Sequence, residues 1–350
     1  MTAPSVLSIP PASLDAGEAP RRPLHDFVEE SGLTSLMLGS SKDPNAKVTI
    51  LLVSERSGHP VFAVKIATTD AAAIAVEAEA RLLLTLQRTT GLTGTLPQVV
   101  ELVEHRGRSA LVMTALPGTP MLGTYFRARH TASRLTVSCD FTAADGWLRM
   151  FHRETRQGKA PLELDGGMTA RLRSRFVADP MLGEDIGRLD DILARLRQDV
   201  VSRSAVHGDF WFGNLLIADR GISGVVDWEA GATEGEGMRD IVRFALTYAL
   251  YLDRRVRPGR RVPGHAGLRA GDWGGAVEFA LDGTGWFAEQ FRQFVSSGLV
   301  RMGASPTGWR DAALAGIAEI AAFTDDDQFA RNHLELFRRL TRRISWREDP

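Results

Sequence analysis

Asp209, Asn214 and Asp227 are the residues of this chain whose types and spacing carry the clearest chemistry. The first two lie in Val206-His-Gly-Asp-Phe-Trp-Phe-Gly-Asn214, and the third opens Asp227-Trp228-Glu229. Between Asn214 and Asp227 stand two short apolar runs, Leu215 to Ile217 and Ile222 to Val226, joined by Ala-Asp-Arg-Gly, a turn composition. That pattern predicts a β-hairpin. A hairpin returns the chain to its start, so Asn214 and Asp227 are expected side by side although thirteen positions apart, with Asp209 on the loop leading in. Mg²⁺ binds through one or two protein oxygens, keeps several waters and takes further ligands from substrate phosphates. Two oxygen ligands meet that need, and a third, free carboxylate would orient a hydroxyl for phosphoryl transfer.

His207-Gly208-Asp209, Asn214 five residues on, and Asp227-Trp228-Glu229 beyond a hairpin together resemble the signature of the aminoglycoside phosphotransferase and choline kinase superfamily, relatives of the protein kinases. The resemblance implies an α+β, bilobal, protein-kinase-like fold, with a small antiparallel β-sheet in the N-terminal lobe and an α-rich C-terminal lobe. It implies ATP or GTP in the cleft, Mg²⁺ held by Asn214 and Asp227, and Asp209 aligning an acceptor hydroxyl for in-line attack on the γ-phosphorus. His207 is expected to hold the loop rather than to take the proton. Where the superfamily often has His-Pro inside the loop, this chain has Trp211-Phe212, which makes Trp211 a candidate for the substrate wall.

The elements that must position these groups follow from periodicity. Lys47 to Val53 and Pro60 to Ile66 are β-rich runs separated by Ser54-Glu-Arg-Ser-Gly-His59, a hairpin connection. Val61, Ala63 and Lys65 share one face of the second run, and Phe62, Val64 and Ile66 the other. Alone, such a lysine reads as an edge-strand residue facing water; beside the 206–229 stretch, Phe62-Ala-Val-Lys65 resembles the kinase strand whose lysine contacts nucleotide phosphates. Asp70 to Arg88 reads as the next helix, with Thr69 or Asp70 as N-cap. At about 100° per residue Glu79 falls within the stripe of Val76, Ala80, Leu83 and Leu86, and Glu77 on its flank. A carboxylate on the buried face needs a partner, so Glu79 is the expected partner of Lys65.

Leu38-Gly-Ser-Ser-Lys-Asp-Pro-Asn45 stands where a phosphate-covering loop belongs, with a single glycine; Ser41 is the candidate ligand there, and an ordinary polar turn is an equal reading. Leu96 to Glu104 and Ser109 to Thr114 read as two more strands, the second running into Ala115-Leu-Pro-Gly118. By resemblance this is the hinge, whose backbone groups from Thr114 to Leu116 would read the adenine edge. Beyond position 120 helical periodicity dominates: helices are expected over Thr142 to Arg156, Asp185 to Ser202, Trp273 to Phe294, Trp309 to Phe323 and Asp326 to Ile344. Asp240 is expected as an N-terminal helix charge or cap. Glu229, Glu234 and Glu236 form either an acidic wall for a cationic acceptor or solvated loop charges. The Arg-rich stretch 253–275 reads as a surface insertion.

With 350 residues the chain is long enough for two lobes. The expected division is a mobile, Pro- and Ala-rich tail over 1–22, a nucleotide-binding lobe over 23–116, and a helical lobe with the catalytic loop over 117–350. Apolar residues make up 44% and charged residues 24%, ordinary values for a globular protein, and the net charge of −1 gives no reason to expect nucleic acid or an anionic membrane surface. Cys139 is the single cysteine and is expected to be a small buried residue; an internal disulfide is excluded, which fits a reducing, cytoplasmic setting. No apolar run approaches membrane-helix length and no secretory leader is visible. The leading expectation is a Mg²⁺-dependent kinase acting on the hydroxyl of a sugar, amino sugar, aminoglycoside or amino alcohol. The alternative is a nucleotide-binding pseudokinase serving as a regulator or scaffold.

Overall fold

The computed structural model describes residues 21–40 and 46–342. The expected tail up to position 20 and the candidate phosphate ligand Ser41 lie outside the described residues. The chain divides into two compact units, Met1–Pro117 and Gly118–Pro350.

In the first unit α1 (Leu24–Ser31) precedes β1 (Thr34–Ser40), β2 (Lys47–Val53) and β3 (Pro60–Ala67), followed by α2 (Asp70–Leu86), β4 (Val99–His105) and β5 (Arg108–Thr114). The strands form one antiparallel sheet in the order β1-β2-β3-β5-β4. Alternation along β3 decides what each face carries. Phe62, Val64 and Ile66 are buried in a cluster with Leu24 and Phe27 of α1, and Phe27 meets Phe62 edge to face at 5.6 Å. Lys65, one residue out of phase with them, is directed to α2 instead. That helix starts where Thr69 caps it, its Oγ1 accepting the Ala72 N–H at 3.1 Å. The fourth strand begins at Val99 rather than Leu96, because Pro97 has no N–H to give a ladder.

The second unit runs β6 (Thr119–Pro120), α3 (Met121–Tyr125), α4 (Arg134–Glu154), β7 (Lys159–Pro161), α5 (Met168–Arg175), α6 (Leu182–Leu196), β8 (Val200–Ser202) and β9 (Ser204–Val206). It continues with β10 (Leu215–Ala218), β11 (Gly221–Val225), β12 (Ala232–Gly235), α7 (Met238–Leu250), α8 (Gly275–Asp282), α9 (Trp286–Met302), α10 (Trp309–Phe323) and α11 (Asp327–Arg342). Its short strands pair as β11-β10-β6, β12-β9 and β7-β8. The central helix α7 packs closely on α10: a Cβ at Gly316 would stand 2.2 Å from Cγ1 of Val242, so this crossing needs glycine.

Three local expectations are corrected. The helix expected over Asp185 to Ser202 stops at Leu196, because the β-branched Val200 and Val201 pair with Pro161 and Ala160 as strand. The helix expected over Trp273 to Phe294 is two, broken at Gly283 to Gly285, where Gly285 takes φ +101°. Cys139 is exposed, not buried: Val137, Phe141 and Ala144 form the inward stripe of α4, and position 139 falls outside it. The Arg-rich stretch carries no helix but is tied down by Val262 N–H to Leu268 O at 3.0 Å and Gly259 N–H to Ala270 O at 2.7 Å. His265 from the same stretch is buried and lies 2.8 Å from Thr131 O.

Burial of histidines in this unit sets a pH dependence. Nε2 of His152 is buried with no hydrogen-bond partner among the described residues, and burial, reinforced by the positive charge of Arg301, lowers its pKa from 6.5 to about 3. Burial likewise lowers His333 to about 4. The unfolded chain protonates both near pH 6.5 while the folded chain keeps them neutral. The unfolded state therefore binds more protons across this window, and stability is complete above about pH 6.5 and falls as pH drops toward 4. Each such histidine contributes a slope of about 1.4 kcal/mol per pH unit. Urea titrations from pH 7 to 4.5 are expected to show His152→Gln losing stability less steeply than the wild type; parallel slopes would refute the assignment.

Candidate active site

The segment that carries Asp209 leaves β9, which pairs with β12 through Val206 and Ala232. Gly208 takes φ +79°, and a Cβ there would lie 2.1 Å from the Ala230 carbonyl oxygen, so no side chain fits between this loop and the turn before β12. Phe210 and Phe212, alternate residues, are fully buried. The first stacks on Trp147 at 5.3 Å and the second on Tyr125 at 4.2 Å. Pinning these two rings inward leaves Asp209 and Trp211 on the other side of the loop, and both line one cavity.

His207 fastens the loop from below. The Asp209 N–H donates to its Nδ1 at 3.2 Å, so the proton is assigned to Nε2, which donates to the Val226 carbonyl at 3.0 Å. The ring thus ties the loop to the end of β11. Asn214 closes the loop on the other side: its Nδ2 donates to the Asp209 carbonyl at 2.9 Å and to Asp209 Oδ2 at 3.1 Å. Its backbone carbonyl accepts the Val226 N–H at 3.0 Å, which continues the β10–β11 hairpin and sets Asn214 opposite the residue before Asp227. Asp227 itself has φ +69°, a left-handed conformation that Asp tolerates better than most residues. Trp228, fully buried, donates Nε1 to the Val225 carbonyl at 2.9 Å and packs on His207 with ring centres 4.5 Å apart, locking this turn.

Two residues of α7 complete the arrangement, and neither had been assigned that part from the sequence. Asp240 is fully buried and accepts the backbone N–H groups of His207 and Gly208, each at 2.8 Å. It sits in the first turn of α7, as expected of a helix-start charge, but its oxygens bind the loop at His207 and Gly208 and do not cap its own helix. Burial pushes its pKa up, against the pull of His207 and the two amides. Arg243 donates Nε to Asp209 Oδ1 at 3.0 Å. Asp209 is therefore held at both oxygens, by an amide and a guanidinium. The signal was a polar residue at every fourth position: Arg239, Arg243 and Thr247 on α7 and Tyr251 just past its end all line the cavity.

Asp240→Ala would leave two buried donors without an acceptor, each costing about 1–3 kcal/mol. The expected result is a stability loss of about 2–5 kcal/mol in denaturant titration, with kcat reduced in the protein that remains folded. Unchanged stability would contradict this reading of the loop.

The cavity measures about 620 Å³ and is walled by Asp209, Asp227, Glu229, Trp211 and the α7 stripe on one side. Residues of α10 and of the turn into α11 close the other: Glu319, Phe323, Asp325 and Phe329. Of the acidic candidates only Glu229 lines it. Glu236 is buried against Arg203 at 3.4 Å, and Glu234 meets the same guanidinium at 3.2 Å, so the expected acidic wall of three does not form.

In the first unit Lys65 Nζ lies 2.7 Å from both oxygens of Glu79, a buried pair. Glu77 instead accepts from Ser109 Oγ at 2.6 Å and from Arg21 at 2.8 Å; hydrogen bonding to Ser109 leads the effects that lower its pKa, although burial opposes it. At the end of β5 the Thr114 N–H donates to Gln98 O and the Ala115 N–H to Val61 O, both at 2.9 Å. These two amides are taken up by the sheet, so of the backbone groups expected to read a base, the N–H groups of Thr114 and Ala115 are not donors to it.

No curated protein matches the chain significantly. Among solved structures, aminoglycoside phosphotransferase APH(2'')-IIa in its complex with streptomycin and ATP is similar over 94% of this chain and 97% of its own, with 15% identity and a TM-score of 0.52. A thermostable mutant of APH(4)-Ia with AMP-PNP and hygromycin B gives a TM-score of 0.56 at 11% identity, covering 91% of this chain and 97% of that one. Macrolide 2'-phosphotransferase MphH from Brachybacterium faecium gives 0.52 at 14% identity, covering 89% and 95%. At such identities the likeness is one of fold, the α+β protein-kinase-like fold. The family model described as the phosphotransferase enzyme family matches residues 48–265, well over half of the chain. The chain belongs to the phosphotransferase enzyme family.

Proposed function

We propose that this protein is a Mg²⁺-dependent small-molecule kinase that moves the γ-phosphoryl group of ATP or GTP to a hydroxyl of a sugar, amino sugar, aminoglycoside or amino alcohol. The observation that carries the reading is Asp209, a carboxylate held at both oxygens by Asn214 and Arg243 while facing a cavity large enough for a small acceptor. A carboxylate so fixed is a positioning base: it orients the acceptor hydroxyl and takes its proton late in a loose transition state.

The donor set suits Mg²⁺. With Nδ2 of Asn214 taken up by Asp209, Asn214 would offer its amide oxygen, and Asp227 its carboxylate, to the cation. Among the described residues no group of three or more His, Cys, Asp or Glu side chains gathers as a metal cluster; one amide and one carboxylate, completed by phosphate and water, is the sparse protein contribution Mg²⁺ takes. When bound, it would neutralise charge on the β- and γ-phosphates. Lys65, oriented by Glu79, is assigned to nucleotide phosphates, and the carbonyls of Thr114 and Ala115 with the Leu116 amide to the base.

The reading is supported further by the family match and by nucleotide and aminoglycoside complexes among the similar structures. It is tested by screening sugars, amino sugars, aminoglycosides and amino alcohols for acceptor-dependent ADP or GDP release; release with none of them would refute it. No helix among the described residues is long and apolar enough to cross a membrane, and the proposed setting is the cytoplasm.

A further inference from the structure

Charge is unevenly spread over this chain. Residues 126–134 carry Arg127, Arg129 and Arg134, and no Asp or Glu. Residues 254–271 carry Arg254, Arg255, Arg257, Arg260, Arg261 and Arg269, again with no Asp or Glu, although Asp253 and Asp272 flank them. In a chain of net charge −1, these nine arginines leave −10 on the remainder. The fold brings the two segments together. The Arg255 guanidinium lies 4.5 Å from the Phe126 ring centre and donates to the Phe126 carbonyl at 2.6 Å, and His265 reaches the Thr131 carbonyl at 2.8 Å. A Cβ at Gly264 would stand 2.3 Å from the Ala132 carbonyl oxygen, so the two backbones touch there. Arg261 and Arg269 face each other across an antiparallel bridge, and Arg269 donates to the Gly259 carbonyl at 2.9 Å. All nine arginines are exposed, and among the described residues none of them is in an ion pair. Arg149, Arg195 and Arg338 of the same unit, by contrast, each hold a carboxylate.

Like charges set directly opposite each other, as at Arg261 and Arg269, cost stability unless an anion takes them up. Guanidinium groups match phosphate oxygens in pairs, and Arg255 and Arg269 are already held in place by their carbonyl contacts. An anionic membrane is the poorer match, since stable attachment needs inserted apolar groups as well as charge. Val262 and Leu268 are buried, which leaves Leu135, next to Arg134, as the only exposed large apolar residue in or beside the two segments. An extended chain of phosphates needs charge alone. We propose that this surface binds the phosphodiester backbone of a nucleic acid, through its phosphates and without reading base edges. The inference is independent of the phosphotransfer reading.

Fluorescence anisotropy on the full chain tests it, with labelled RNA and DNA single strands of mixed sequence, each about 20 nucleotides long. Binding in the micromolar range is expected at about 50 mM salt, weakening about tenfold or more by about 200 mM. A tighter complex with RNA than with DNA would name RNA as the source of the backbone, and parity would make the surface a reader of either; both support the proposal. The side chains of Arg257, Arg260 and Arg261 make no hydrogen bond or ion pair among the described residues, so they can be changed without disturbing the fold. Arg257→Glu/Arg260→Glu/Arg261→Glu is expected to weaken binding at least about tenfold, and lysine at the same three positions to stay within about threefold of the wild type. Arg56→Glu/Arg88→Glu/Arg156→Glu changes the net charge equally at exposed positions outside the two segments and is expected to stay within about twofold. The proposal is overturned by no binding at low salt, by an equal loss in that control, or by attachment to phosphatidylserine vesicles with neither strand bound.

Discussion

Asp209→Ala is expected to lower kcat by about 10²–10⁴-fold, the usual worth of a positioned general base, while the Kd for Mg²⁺-nucleotide stays within about threefold. The separation of the two effects follows from the geometry. Asp209 faces the acceptor cavity, and the loop that carries it is held by groups other than its own carboxylate: His207 on Val226, the two backbone amides on Asp240, and the buried rings of Phe210 and Phe212. Removing the carboxylate therefore leaves the loop in place, and Asn214 keeps its bond to the residue 209 carbonyl. Asp209→Asn serves as the volume control. It preserves shape, but an amide nitrogen turned to either Asn214 Nδ2 or Arg243 Nε sets donor against donor, so turnover falls nearly as far. Burst-free steady-state kinetics with nucleotide affinity measured separately checks this. Near-normal turnover in either variant would remove Asp209 from the mechanism, and a parallel collapse of nucleotide affinity would make it a structural residue.

How much of this was legible beforehand depends on sequence separation. Period-2 alternation over 47–53 and 60–66 places strands there, and β2 and β3 run over Lys47–Val53 and Pro60–Ala67. Helical phase alone singles out Glu79 over Glu77, because only a paired carboxylate belongs in an apolar stripe, and Lys65 does lie against Glu79. The hairpin over 215–225 follows from its turn residues. What stayed hidden were partners far along the chain. Asp240 looks like a helix-start charge because nothing local shows that two amides 32 and 33 positions earlier lack acceptors. Arg243 reads as one more polar residue on α7 until the fold sets it against Asp209, 34 positions away. The acidic run at 229–236 misleads for the same reason: Arg203, which takes Glu234 and Glu236, arrives from the strand region before the catalytic loop. Composition fixes that these charges need partners; only topology says which.

Asp227 tests the metal side of the reading, with a larger expected effect on binding than any other position. Its φ of +69° means that the backbone here is left-handed, held so by the buried Trp228 immediately after it. A non-glycine residue persists in that region only where its surroundings impose it, at a cost of about 1–3 kcal/mol, and such strain gathers at working sites. Alanine at 227 would remove the carboxylate and bear the strain less well than Asp, so a loss of nucleotide binding in that variant alone would mix two causes. Asparagine separates them: it tolerates the left-handed region, keeps the side-chain volume and removes the charge. Asp227→Asn is expected to melt within about 4 °C of the wild type, since it keeps the volume and backbone conformation of this half-buried residue and a change of about 1 kcal/mol shifts a chain of this size by about 2–4 °C. Its Mg²⁺-dependent gain in nucleotide affinity is expected to fall by about 10²-fold or more, because the carboxylate is the one charged protein ligand assigned to the cation. Calorimetric titration of nucleotide with Mg²⁺ and with EDTA reads this directly: the two curves should converge in Asp227→Asn and differ widely in the wild type. A variant that keeps the full Mg²⁺ dependence would place the cation elsewhere and, with it, the phosphates that Asp209 is meant to face.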